Sequence, residues 1–264
     1  MSMELGDTTL GNFLSIVIDR CTVQQAGVQG IVGGSVNNSV AENCGGTGIT
    51  AKSAANSVGG CSASQRGIYA GTAVNCFGTS ATGTGLDADS ATGCRGESTA
   101  LSSTGTGLNA ATATGCYGSN SNGSGIGLSA TSANGCYGFS ISGTGLSATT
   151  ATGCFGQSTD SGIGLNADNA SNCSGIGPSN IGLSAINASN CSGTSSSGIG
   201  LRAIYNASNC SGTSQSNTGL SAQTAAFCRG ITGGSNPGIN CSIAIGCIGT
   251  GTPAVSAFYK YLMP

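Results

Sequence analysis

The chain has no histidine and no tryptophan, and only 6% of its 264 residues are charged. Without histidine, a serine nucleophile has no general base of the usual kind, so spellings such as GSGIG at 123–127 carry no catalytic meaning in a chain this rich in serine and glycine. The Gly-Thr-Gly fragments are equally empty as phosphate loops, because no Lys-Ser/Thr follows them. The five arginines, Arg20, Arg66, Arg95, Arg202 and Arg229, are scattered and the net charge is −2, which argues against a nucleic-acid groove. There are only four prolines, and the apolar residues recur at fixed places, unlike a disordered chain. Glycine makes up 48 residues but does not fall every third position, which excludes collagen. No apolar run approaches the 18 or so residues of a membrane-spanning helix, so no membrane insertion is expected. The opening MSMELGDTTLGNF has no basic segment followed by an apolar stretch, so no signal peptide is read there.

What is present is a repeat. From Cys61 to Cys228 the cysteines are spaced 15, 18, 22, 20, 18, 19, 18, 19 and 18 residues apart. The shared phrase is G-L-x-A-x-x-A-x-x-C-x-G-x-S, as in GIGLNADNASNCSG at 162–175. Leu86, Leu108, Leu128, Leu146, Leu165, Leu183, Leu201 and Leu220 hold its apolar position, with Ile49 and Ile68 before them. Leu-x-Ala has the two-residue period of a strand with one buried face. Flanking glycines and a middle crowded with Ser, Thr and Asn argue against a helix. A bend is expected near the second alanine, followed by a short strand centred on the cysteine. Its inward residues would be the cysteine and the small residue two places before it.

A unit this short cannot bury its own face, but stacked units can. The pattern predicts an all-β fold, a single-stranded parallel β-helix of about 12 coils of 18–22 residues. Each strand pairs in parallel with its copy one coil away, at about 4.8 Å. A narrow lumen accounts for the small inward side chains, since larger ones would overpack it.

In DRCTVQQAGVQGIVGG at 19–34, and again in GGCSASQRGIYAGTAVNCFG at 59–78, a C-x-V or cysteine strand precedes a loop and a Gly-Ile strand. Over about residues 15–250 the chain resembles the right-handed parallel β-helix superfamily, the shape of pectate lyases, polygalacturonases and phage tailspikes. The resemblance implies right-handed coiling, but no catalytic motif of that family is matched. Residues 1–252 are read as the β-helix with an N-terminal cap strand. Residues 253–264, with Phe258, Tyr259 and Tyr261, are read as a C-terminal aromatic cap over an otherwise exposed strand edge.

Four groups of residues are candidates for chemistry. The cysteine column lacks the close pairs and histidines of structural metal sites, so no metal and no cofactor are expected, and the thiols are read as small buried hydrophobes. Glycoside cleavage needs two acids about 5–9 Å apart. Asp87, Asp89, Asp160 and Asp168 are the candidates, and each reads as an outward, solvated acid. The position after the cysteine, if outward, gathers Phe77, Tyr117, Tyr137 and Phe155 into a surface strip able to stack on sugars or a neighbouring chain. The Thr, Ser and Asn positions resemble those of ice-binding β-solenoids, though Thr112 and Thr149-Thr150 fall irregularly. Asn-x-Ser sequons at Asn169, Asn172, Asn187, Asn190, Asn206 and Asn209 look like by-products of the repeat.

Coil uniformity favours a non-enzymatic structural or spacer rod in an extracellular or cell-surface protein. The alternatives are a carbohydrate-binding or carbohydrate-cleaving module and an ice-binding solenoid. Polysaccharide, or a second copy meeting it through the ends or the aromatic strip, are the partners considered.

Overall fold

A computed structural model describes residues 16–99 and 104–263. The expected N-terminal cap, residues 1–14, lies outside the described residues. The chain divides into two compact units, Met1–Thr131 and Ser132–Pro264, with the division falling inside the strand Leu128–Asn134. Each unit is a parallel β-solenoid, and the described residues contain no helix.

In the first unit, the strands Val17–Asp19, Ile31–Asn37, Ile49–Ala55, Ile68–Val74, Leu86–Thr92 and Leu108–Thr114 form one parallel ladder. The shorter strands Thr22–Gln24, Val40–Cys44, Val58–Cys61, Phe77–Ser80, Arg95–Ser98 and Tyr117–Asn120 form a second. The second unit repeats the plan. Leu146–Thr152, Leu165–Ser171, Leu183–Ser189 and Leu201–Ser208 stack in register, so that leucine meets leucine and alanine meets alanine. The last coils split the long strand in two, as Leu220–Ser221 with Thr224–Ala226 and Ile239–Asn240 with Ile243–Ile245.

Within each long strand the first, third and sixth residues are buried, and the fourth and fifth both face outward. The chain therefore bends before the second alanine and not at it. Leu201–Ser208 takes one extra residue at this bend, which displaces Ile204 and Tyr205 outward.

The residue before each cysteine except Cys61 and Cys241 has a positive φ. Ahead of Cys76, Cys94 and Cys116 in the first unit it is Asn75, Gly93 and Gly115, and ahead of the cysteines from Cys136 to Cys210 in the second it is Gly135, Gly153, Asn172, Asn190 and Asn209. These are the residues that enter the left-handed region most cheaply. This corner shifts the strand parity and corrects the expectation of a strand centred on the cysteine. The short strand begins after the cysteine, and its inward residues are the glycine and serine of C-x-G-x-S, as in Gly156 and Ser158. The residue two before the cysteine, such as Thr152, is exposed, while the alanine three before it is buried.

Two of the corners before a cysteine, at Arg20 and Phe227, carry neither glycine nor asparagine. Phe227 sits at φ 52° with its ring 61% exposed. Phe227→Gly is expected to stabilise the second unit by about 1 kcal/mol by removing that backbone cost. It would be read as a higher thermal midpoint. A lower midpoint would show that the ring, which lies over Gly246, contributes more than its backbone costs.

The positive-φ column also sorts the cysteines. Asn38 and Asn56 mark two rungs whose inward position is held by Ser39 and Ser57, both buried. The column therefore runs Cys21, Ser39, Ser57, Cys76, Cys94 and Cys116 in the first unit, six rungs. In the second it runs Cys136, Cys154, Cys173, Cys191, Cys210, Cys228 and Cys247, seven rungs. Cys44 and Cys61 belong instead to the column of Ser80. Cys241 takes an alanine place in the long strand, two residues after Ile239. The odd interval of 15 residues after Cys61 arises because Cys61 is not in the ladder, and the two serine rungs bring the coils slightly above the expected number.

Segment 253–264 continues the ladder, with Val255–Ser256 on Ile239–Asn240 and Tyr259–Tyr261 on Ile243–Ile245. Phe258, Tyr259, Tyr261 and Leu262 are exposed there.

Candidate binding surfaces

The inward columns are closely filled. Leucine or isoleucine, alanine, cysteine or serine, glycine and a further small polar residue recur from rung to rung. The serine holds the loop that follows. Ser195 Oγ donates to the Asn180 carbonyl at 2.7 Å and accepts from Gly198 N at 2.9 Å, and Ser80 makes the matching bonds to Gln65 and Gly83. Among the described residues no buried side-chain nitrogen or oxygen lacks a partner. Hydrogen-bonding contacts to a surface ligand therefore fall to the outward columns.

The position after the cysteine does face outward, and its aromatic residues are half-buried. In the first unit the in-register column Phe77, Arg95, Tyr117 places the Arg95 guanidinium between two rings, 5.4 Å from one centroid and 5.1 Å from the other. The same guanidinium pairs with Glu97. In the second unit Tyr137 and Phe155 stack with centroids 5.2 Å apart and planes 20° from parallel, and Tyr137 Oη lies 2.8 Å from Gln157 Oε1, to which it donates. Tyr137 and Phe155 each turn one face to the other along the ladder, which withdraws that face from a sugar.

The acids are outward, as expected. Asp87 is held by the Arg66 guanidinium and accepts from Asn109 Nδ2 at 2.8 Å, and Arg66 also lies over the Tyr69 ring at 4.6 Å. Asp160 accepts from Ser142 Oγ at 3.2 Å. Asp89 and Asp168 are exposed. Among the described residues, no three His, Cys, Asp or Glu side chains converge as a metal site would require.

A surface that sequence reasoning missed lies on the long strands of the second unit. The residues on either side of the second buried alanine point outward, giving Thr150 and Thr152, Asn169 and Ser171, Asn187 and Ser189, and, one place later in the longer strand, Asn206 and Ser208. They line an open groove of about 410 Å³. Asn206 Nδ2 donates to Asn187 Oδ1 at 2.9 Å, and Asn187 Nδ2 donates to Asn169 Oδ1 at 3.2 Å, so the amides form a chain. The threonines looked irregular in the sequence because Asn and Ser alternate with them in the same two columns. Outwardness on either side of the second alanine was the available signal.

The thiols interact along their column. Cys76 Sγ donates to the Val74 carbonyl at 3.3 Å, while Cys76 N donates to Cys94 Sγ at 3.5 Å. Sulfur also reaches back one rung, as from Cys173 Sγ to the Ala151 carbonyl and from Cys228 Sγ to the Ala207 carbonyl, both 3.3 Å. Hydrogen bonding from the Cys94 thiol draws the Cys76 thiol down to about 7, and donation between neighbouring thiols drives Cys228 and Cys154 upward. Away from the ladder, burial pushes Cys241 up to about 11 and raises Cys44.

Comparison of the chain with protein-family models, with curated proteins and with solved structures finds no match in any of the three. The residues and their geometry carry the functional argument alone.

Proposed function

We propose that the chain is a non-catalytic structural solenoid, a spacer of the kind found in extracellular or cell-surface proteins, with the right-handed coiling of the pectate-lyase-like shape. The observation that supports this reading is rung-to-rung uniformity. The same residue types recur at the same inward and outward places within each unit, and the acids on the surface are engaged with Arg66, Asn109 or Ser142 or stand apart in solvent.

A spacer tolerates a change in its number of rungs, because each rung meets only its neighbours. Deleting residues 183–200, one coil of the second unit, is expected to leave a cooperatively folded protein with a thermal midpoint within a few degrees of the parent. Collapse of the fold on deletion would count against the reading. So would release of reducing ends or unsaturated products from polysaccharides that depends on Asp87 or Asp89.

Carbohydrate binding is a second reading, favoured by the hydroxyl and amide groove on Thr150 to Ser208. On a glycan array, Asn169→Ala with Asn187→Ala is expected to abolish any signal that the parent gives. Tyr137→Ala with Phe155→Ala is expected to leave it within about twofold, since each ring already has one face covered by the other. The reverse ranking would move the site to the aromatic strip, and silence of the parent would remove this reading.

A further inference from the structure

The inward thiol column meets a geometric condition that the convergent metal sites above do not. A linear two-coordinate thiolate site needs only two sulfurs, facing each other across one metal ion. Taking the zinc–thiolate bond of about 2.3 Å as the scale of a metal–sulfur bond, the sulfurs must lie about 4.6 Å apart or slightly less. Successive rungs of a parallel ladder repeat at about 4.8 Å, and equivalent side chains on in-register rungs repeat at the same step. The strands flanking each cysteine are in register from rung to rung in the second unit. The repeated Sγ contacts to their own and the preceding rung place the sulfurs alike.

We propose that inward cysteines on adjacent rungs, chiefly those of this column, bind soft monovalent d10 ions, copper(I) in the first place, as buried linear bis-thiolate sites between rungs. Thiolate ligands select copper(I), and among the described residues no imidazole or carboxylate side chain is buried in the inward column to favour a harder divalent ion. On binding, two S–H bonds break and two metal–sulfur bonds form. Two protons leave to solvent, and the metal keeps its oxidation state. The bound pair carries one net negative charge, met by backbone N–H groups that already donate to sulfur, such as Cys136 N to Cys154 Sγ and Cys154 N to Cys173 Sγ, both 3.5 Å.

If no sulfur is shared, the seven successive cysteines of the second unit make three pairs. Cys76, Cys94 and Cys116 make one more in the first, the in-register buried pair Cys44 and Cys61 makes another in the column of Ser80, and Cys21 is isolated by Ser39. The reduced full chain is titrated anaerobically with copper(I) held by a chromophoric chelator, with circular dichroism followed throughout. Uptake of about five ions by the folded protein is expected, with X-ray absorption showing two sulfur neighbours per copper.

The diagnostic variant is Cys154→Ser, Cys191→Ser, Cys228→Ser, which leaves no two adjacent thiols in the second unit. Serine already occupies the column at Ser39 and Ser57, where Cys21 N donates to Ser39 Oγ at 3.1 Å, so the column accepts it. Uptake is expected to fall to about two ions. Cys241→Ser, which has no cysteine beside it on the neighbouring rungs, is expected to keep all five. No uptake by the folded parent, uptake only after unfolding, three- or four-coordinate copper, or undiminished uptake by the triple variant would each overturn the proposal. If the triple variant does not fold, the coordination number and stoichiometry of the parent decide.

Discussion

Gly193→Ala is expected to destabilise the second unit by about 3 kcal/mol. An added Cβ there would lie well inside contact distance of the Gly200 carbonyl oxygen and within 3.0 Å of Leu201 Cα. Gly193 follows Cys191 and Gly200 precedes Leu201, so the glycines of C-x-G and G-L face each other across the neck of the coil. The carbonyl cannot move aside freely, because it accepts the ladder bond from Leu183 N at 3.1 Å and Gly200 N donates to the Thr218 carbonyl at 3.2 Å. Relief at one rung would break bonds to the next. Gly27→Ala is the matched control, with nothing within 4 Å of the added methyl and no positive φ. Denaturant unfolding should show the first variant with a much lower midpoint and the second near the parent. Equal midpoints would mean that the neck is wider in solution than the ladder requires.

Leu183→Ala should cost a comparable amount, about 3 kcal/mol within the usual range for a buried leucine. Leu183 is fully buried and lies in register between Leu165 and Leu201. Its loss opens a gap between two rungs that their own hydrogen bonds hold at a fixed distance, so the cavity cannot close by strand movement. Leu183→Ile is expected to cost under about 1.5 kcal/mol, since Ile31, Ile49 and Ile68 fill the same column in the first unit. If Leu183→Ala lowers stability by less than about 1 kcal/mol, the column is not the main source of cohesion. The coils would then rest on their backbone ladders.

Much of the fold is legible in the repeat because each rung writes its inward set in the same order. Leu165 and Ala167 alternate as a strand must, and Cys173 is inward as the repeat implies. Parity fails at two places: the bend where Asp168 and Asn169 both face outward, and the corner at Asn172, where a positive φ breaks the alternation that strand reasoning assumes. The corner residue moved the expected strand and the expected inward partner of the cysteine. Chemical identity misled in the same way at Ser39 and Ser57, which occupy cysteine places, and at Cys44, Cys61 and Cys241, which do not. The groove on Thr150, Asn169, Asn187 and Asn206 was hidden because Thr, Asn and Ser exchange freely where a side chain faces water. The aromatic positions could be placed on the surface, but ring orientation depends on the neighbouring rung. Only the structure pairs Tyr137 with Phe155 and lays Arg95 between Phe77 and Tyr117.

The constancy of the coil has a kinetic consequence. Every ladder contact joins residues one rung apart, as Leu165 joins Leu183 and Leu183 joins Leu201. The stretch of chain to be closed for each new contact therefore stays at one coil, however many coils a unit holds. Closure entropy grows with the length of that stretch and not with the length of the protein. Relative contact order then falls as rungs are added, the opposite of the usual burden on all-β folds. Such a chain can grow by duplication of single rungs without becoming harder to fold.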